Sequence, residues 1–410
     1  MTKNNVREPL FHITKRAASG RARPIVVRLI AIVVGLLLGL CFVSIYTKQN
    51  PFFLLKTMFF GAFGGEIFVW SLFQELAILL LISLAVVPAF KMKFWNIGAD
   101  GQTLVGCLAA AIAIYYFNDA LPNWALLIVM ALMSMLAGVV CAVIPALFKA
   151  KWNTNETLFT LMMNYIAICL VEFFKMTWFP SGQNMFSKFY RKFGNFPILG
   201  NKYVVILLVA GILTVLMSLY LGKTKHGFEV SLVGESINTS KYVGINVKKV
   251  IIRTMILSGV ICGLAGFLLV SAKDHTITST MVSGRGFTAI IVVWLAKFNP
   301  IFMVLTAFLV VFLSQGTAQI GATIGVTDGS LPKIITALVF FFVIGCEFFI
   351  NYKIVFRNHK HKGDSPFGTP TEPPAPEPVP VEEPTETTDA PTEANGAPTS
   401  EAEAEGGEAL

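Results

Sequence analysis

Charged side chains are scarce in this sequence. Asp, Glu, Lys and Arg supply 14% of its 410 residues, against 55% hydrophobic residues. Soluble domains carry roughly 25% charge, so a water-facing surface is excluded over most of the chain. Proline is scarce over the same region, because ten of the twenty prolines follow Gly363. The six cysteines (Cys41, Cys107, Cys141, Cys169, Cys262, Cys346) form no CxxC and have no His at metal-ligand spacing. That argues against a zinc site and leaves them as small apolar packing residues. Catalytic signatures are missing as well: the five histidines make no HExxH, and GxSxG does not occur. Two fragments imitate nucleotide motifs without their context. "LGKT" (221–224) has Met217 where a phosphate loop needs glycine, and "GRGFTA" (284–289) lies between apolar runs rather than after a strand.

What the sequence has instead is long apolar runs, with a mean hydropathy of +0.68. A run of about 20 residues crosses a ~30 Å hydrocarbon core. Ten helices are predicted, over 25–47, 67–90, 102–118, 123–148, 157–179, 203–222, 250–272, 286–296, 300–322 and 333–355. The expected class is all-α and polytopic, surrounded by membrane lipid. The eighth run is short and fits a broken or re-entrant segment whose backbone is sheltered by protein. No cleavable signal peptide is expected, since the first 28 residues are polar and basic and the first run is long enough to stay.

The net charge of +8 conceals two opposite parts. Residues 363–410 hold twelve acidic residues and no Lys or Arg, so the other 362 residues carry 32 basic against 12 acidic groups, a net of +20. The basic residues are scattered between spans, which fits loops facing an anionic leaflet rather than nucleic acid. With the N-terminus inside, 22 of 32 Lys and Arg fall in cytoplasmic segments and 10 outside or at the outer end of a span, as the positive-inside rule favours. Both termini are therefore expected in the cytoplasm, and the basic loop 187–202 is an exception to the rule. Three regions result: a basic segment 1–24, a membrane domain 25–355, and a Pro-, Glu- and Thr-rich tail 356–410 expected to be disordered.

Polar residues interrupt the apolar runs at three places. In "NIGADGQ" (96–102), Asp100 facing lipid would cost about 2.5–3.5 kcal/mol. It must face protein, water or the interface, so the stretch is either a break lining a cavity or a short cytoplasmic loop. "KAKWNTNETLFTLMMNYIA" (149–167) opens a helix with Thr154 or Asn155 as cap. Its Asn164 either meets a solute or bonds a neighbouring helix. Segment 223–250 mixes Phe228, Leu232, Val233, Tyr242 and Ile245 with charges and is broken at Gly234 and Gly244. Two short surface helices are expected there, docking a soluble partner or lying on lipid.

These blocks, with "LSGVICGLAGFL" and "GFTAIIVVWLAKFNP", resemble ABC importer permeases. The likeness is to the nucleoside and simple-sugar branch of the branched-chain amino acid permease superfamily, over roughly residues 25–355. The resemblance implies a subunit without a cofactor of its own, set in a bacterial plasma membrane. ATP would be used by a separate ABC ATPase subunit, a second permease subunit would complete the path, and an extracellular binding protein or lipoprotein would deliver solute. It implies that Phe228, Gly234, Glu235, Ser236, Asn238, Tyr242 and Gly244 belong to the segment that couples to the ATPase. It also places the NIGADGQ region beside the path, with Glu75, Asn96, Asp100, Gln102, Asn164, Phe287 and Thr288 as candidate solute contacts. Departures are Thr288 where the family usually has Asp, "LAK" (295–297) in place of LGG or LGR, Arg285 where an aromatic is common, and the polar Trp70 and Glu75. The acidic tail has no counterpart in the family pattern. Expected, then, is a permease for nucleosides, with a ribose- or galactose-like sugar permease as the alternative. An ion-coupled carrier or a membrane-embedded transferase is the reading from another class.

Overall fold

A computed structural model describes residues 11–15, 22–178, 194–196, 203–325 and 330–356. The loop 187–202, apart from 194–196, and the tail expectations lie outside the described residues. The chain divides into two units, Ile13–Val355 and Met1–His12 with Phe356–Leu410. The second is described only at Phe11, His12 and Phe356, and the first is the membrane domain.

Strand β1 (Phe11–Lys15) precedes α1 (Ala22–Thr47), α2 (Pro51–Phe63), α3 (Glu66–Lys91), α4 (Ala99–Phe117), α5 (Asn123–Trp152) and α6 (Glu156–Trp178). Then come α7 (Val204–Lys223), α8 (Lys225–Glu235), α9 (Ile237–Tyr242) and α10 (Val247–Leu268), which runs on as a π-helical turn over Leu269–Asp274. Helices α11 (Arg285–Leu295), α12 (Pro300–Ile324) and α13 (Ser330–Asn351) and strand β2 (Tyr352–Phe356) complete the order. Among the described residues, nine helices are long and apolar enough to cross a membrane, while α2 and α11 are shorter apolar helices. The short eighth run is thus a half-length helix. Helix α2 stands where a connecting loop was expected.

Local chemistry sets the ends. Asn50 accepts from the Phe52 amide (2.9 Å) with Pro51 at the first turn of α2, and Asn299 does the same for Ile301 (3.0 Å) ahead of Pro300. A proline there loses no hydrogen bond. Asn155 caps α6 through the Leu158 amide (3.2 Å).

Helices α3, α4 and α10 form the centre. Two thirds or more of each apolar stretch is buried, against under two fifths for the other spans. The centre closes through glycine. A Cβ at Gly106 of α4 would lie 2.9 Å from the Gly263 Cα, and one at Gly263 would lie 2.7 Å from the Met135 Cα of α5. Missing side chains let backbones meet where lipid gives no hydrophobic drive for association. A second apolar cluster at one end joins Met92, Phe94, Ala142, Val230, Val233, Val250 and Met255. It seats α8 against α3 and α10, with Ala142 of α5 joining the same cluster.

Candidate functional site

The break between α3 and α4 is held by amides. Asn96 is fully buried. Its Nδ2 donates to Ser258 Oγ (3.2 Å) and Gln102 Oε1 (3.4 Å), and its Oδ1 accepts from Gln102 Nε2 (3.1 Å) and the Gly98 amide (3.1 Å). From α6, Asn164 Oδ1 accepts from the Gly101 amide (2.8 Å) and Nδ2 donates to the Ile97 carbonyl (3.0 Å). Thr160 Oγ1 accepts from the Ile97 amide (3.2 Å). Every polar group of the irregular backbone that these bonds reach is satisfied without water. Ser258 lies about 16 Å along α10 from Val247 at 1.5 Å per residue. The break therefore starts at the end beside α8, at Lys91 and Met92, and Asn96 carries it inward among the helices. Close approach of α6 needs glycine, since a Cβ at Gly101 would stand 2.9 Å from the Asn164 Cα.

Asp100 sits in the first turn of α4 and also serves α11. Its Oδ1 accepts from the Gly286 amide at 2.7 Å. Gly284, the residue before α11, has φ +74° and offers no capping side chain. One carboxylate thus meets two helix N-termini, where partial positive charge favours an anion. A Cβ at Gly286 would lie 2.6 Å from the Asp100 amide nitrogen, so glycine is what lets the two half-buried helix starts touch.

In front of Asp100 lies a cavity of about 270 Å³, lined by α4, α6, the 279–284 loop and α11. Asp100, Asn164, Tyr165 and Phe287 give it a carboxylate, an amide and two aromatic rings. Both rings are well exposed, Tyr165 at 59% and Phe287 at 45%. Of the expected contacts, Asp100, Asn164 and Phe287 come together here. Asn96 and Gln102 stand behind the wall as its buried brace. Glu75 is paired with Lys273 (2.6 Å) and Arg285 (2.9 Å), and the Thr288 hydroxyl donates to the Gly284 carbonyl (3.2 Å). Tyr165 and the 279–284 loop were not among the expected contacts. Tyr165 had a signal, its place beside Asn164; the loop had none. Among the described residues, no group of three His, Cys, Asp or Glu could hold a metal ion.

Helices α8 and α9 form the expected pair of short surface helices. Thr224 caps α8 through the Gly227 amide (3.1 Å), and Ser236 caps α9 through Thr239 (3.2 Å). Arg253 of α10 bonds Glu229 at 2.7 Å, and this bond holds the Glu229 carboxyl below the usual carboxylate range. A Cβ at Gly234 would meet the Lys91 carbonyl, so Gly234 packs inward. Phe228, Ile237, Tyr242 and Val243 are exposed on the outer side, together with Glu235, Asn238 and Gly244, and Gly244 turns the chain at φ +83°.

Residues 68–344 match the family model described as branched-chain amino acid transport system / permease component. The chain belongs to this family. The permease is 27% identical over 342 residues to the nucleoside ABC transporter permease protein NupB of Lactococcus lactis, covering 79% of its own length and 92% of NupB. It is 28% identical to the glucose ABC transporter permease protein TsgB13 of Haloferax volcanii (84% and 92% covered). It is also 28% identical to the guanosine ABC transporter permease protein NupP of Bacillus subtilis (78% and 93%). It is an ABC transporter permease component, a multi-pass membrane protein and not a catalytic enzyme.

Proposed function

We propose that the permease forms the translocation path for nucleosides or closely related polar ring solutes. The cavity carries this reading. Tyr165 and Phe287 offer aromatic rings, while Asp100 supplies a carboxylate acceptor at one wall, beside the backbone-bonded Asn164. Stacking on an aromatic side chain contributes about 1–3 kcal/mol per base, and buried polar groups reject ligands that leave them unpaired. The likeness to NupB and NupP supports the same solute class. The likeness to TsgB13 favours a sugar instead; aromatic rings suit both solutes, and uptake assays separate them. In membrane vesicles, Phe287→Ala with Tyr165→Ala should raise the KM for labelled nucleosides about tenfold or more. Robust uptake of glucose or ribose, with nucleosides ignored, would overturn the nucleoside reading.

A second permease subunit completes the path in this reading. An ABC ATPase docks at α8 and α9, and an extracellular binding protein or lipoprotein delivers the solute. The membrane is the bacterial plasma membrane, and both termini are cytoplasmic. Orientation rests on the Lys and Arg distribution. With Cys41 and Cys169 replaced by Ser, an impermeant maleimide added outside should label Ser187→Cys and miss Asn238→Cys. The reverse pattern would invert the topology.

A further inference from the structure

The segment between α10 and α11 forms one wall of the cavity, through Ser279, Thr280, Val282, Ser283 and Gly284. Its two ends are held by one carboxylate from a third helix. At the start, Lys273 Nζ stands 2.6 Å from Glu75 Oε1. At the end, Arg285 donates from Nη2 to Glu75 Oε2 (2.9 Å) and Oε1 (3.2 Å), and from Nε to Oε2 (3.2 Å). The Arg285 Nη1 turns back to the Met281 (2.7 Å) and Val282 (3.3 Å) carbonyls of the wall itself. The backbone reverses beside these ends, with φ +47° at His275, +51° at Ser283 and +74° at Gly284. From α6, Glu172 accepts a hydrogen bond from Ser279. The Glu75, Lys273 and Arg285 side chains are only 24%, 12% and 20% exposed, so their attraction is weakly screened.

We propose that Glu75 is a positioning residue, a clasp that closes segment 274–284 into the cavity wall and so sets the affinity for solute without touching it. Both its oxygens are engaged by the clasp, and it does not line the cavity. Two cations at the two ends of a loop repel each other, and Glu75 turns that repulsion into closure. Without the carboxylate, the ion pair left to Lys273 among the described residues is with Asp274 (3.5 Å), and Arg285 keeps the two wall carbonyls and the more distant attraction of Asp100. The wall between the two ends then loosens and Ser283 draws back from the cavity, while the Gly286 amide, still bonded to Asp100 (2.7 Å), keeps the start of α11 in place. This inference rests on the proposed solute cavity, and a readout independent of solute keeps the two apart.

The test uses the full permease–ATPase complex in nanodiscs, with Glu75→Gln, Glu75→Asp and the double variant E75Q/R285Q. Glu75→Gln should speed amide hydrogen exchange across 274–284 and raise the uptake KM about tenfold, with maximal rate within about twofold of wild type. Glu75→Asp keeps the charge on a shorter arm and should restore part of both. If Glu75→Gln fails to insert, E75Q/R285Q removes the stranded cation and leaves the Lys273–Asp274 pair, and it should insert with the same loosened wall. Unchanged exchange in whichever variant inserts overturns the clasp. Faster exchange with an unchanged KM for every solute carried overturns its role in affinity. Faster exchange in a protein that carries no nucleoside refutes the nucleoside reading alone.

Discussion

Gly263→Leu should leave almost no monodisperse permease after detergent extraction, while Gly211→Leu extracts at the wild-type level. Both substitutions add the same side chain to an apolar helix. At Gly211 of α7, a Cβ meets nothing within 4 Å. At Gly263 it meets the backbone of α5: the Ser134 carbonyl, the Ser134 carbonyl carbon at 2.8 Å and the Met135 Cα at 2.7 Å. On the other flank, Gly106 of α4 approaches so closely that its own added Cβ would stand 2.9 Å from the Gly263 Cα. Overpacking against side chains costs about 1–3 kcal/mol because rotamers can shift. Here the obstacles are backbone atoms of two helices, so the helices themselves must part. Gly263→Ala, with one methyl, should fall between. Size-exclusion profiles and thermal midpoints in detergent check the series. Equal profiles for Gly263→Leu and Gly211→Leu would show that this crossing does not hold the domain together.

That crossing was legible in part. Gly259, Gly263 and Gly266 fall on one face of α10 at spacings of four and three, a pattern that suits close helix contact but does not say which helices meet it. The long spans were legible because about 20 apolar residues in a row have few alternatives. Helix α2 was not, since its thirteen residues are too few to span and carry Lys56; the Asn50–Pro51 start was the local cue that it is helical. The site was half legible. Residue type singled out Asn96, Gln102 and Asn164, yet type cannot tell an amide that meets solute from one that satisfies backbone at a break. Asn96 and Gln102 bond each other, Gly98 and Ser258. The contact of Asp100 with Gly286 spans 186 residues of sequence, and the Glu75–Arg285 pair spans 210. No periodicity within either segment encodes the other. Long-range polar pairing is settled by how the helices pack.

The α8–α9 platform leads to the second large effect. Phe228→Asp combined with Tyr242→Asp should leave the permease in the membrane at normal levels but without its ATPase. The inner side of the platform is accounted for: Val230 and Val233 join the cluster of Met92, Phe94, Val250 and Met255, and Arg253 ties Glu229 to α10 (2.7 Å). A bulky residue at Gly234 would collide with the Lys91 carbonyl and damage the platform from within, so Gly234 cannot distinguish docking from packing. Phe228 and Tyr242 can, because they are 61% and 91% exposed and neither belongs to the buried apolar clusters of the described residues. Large aromatics that anchor an interface contribute about 2 kcal/mol or more each when buried by a partner, so losing two should lower ATPase co-purification by well over tenfold. Uptake should fall with it, since the α7 and α10 spans flanking this platform would receive no stroke. Glu235→Arg adds a charge test on the same exposed side. The competing reading is a segment resting on lipid, where aromatic side chains favour the interface. On that reading the double variant loosens from the membrane surface, but the ATPase stays bound and hydrolysis remains stimulated by solute. Retained co-purification and coupled hydrolysis in Phe228→Asp/Tyr242→Asp would move the docking site away from α8 and α9.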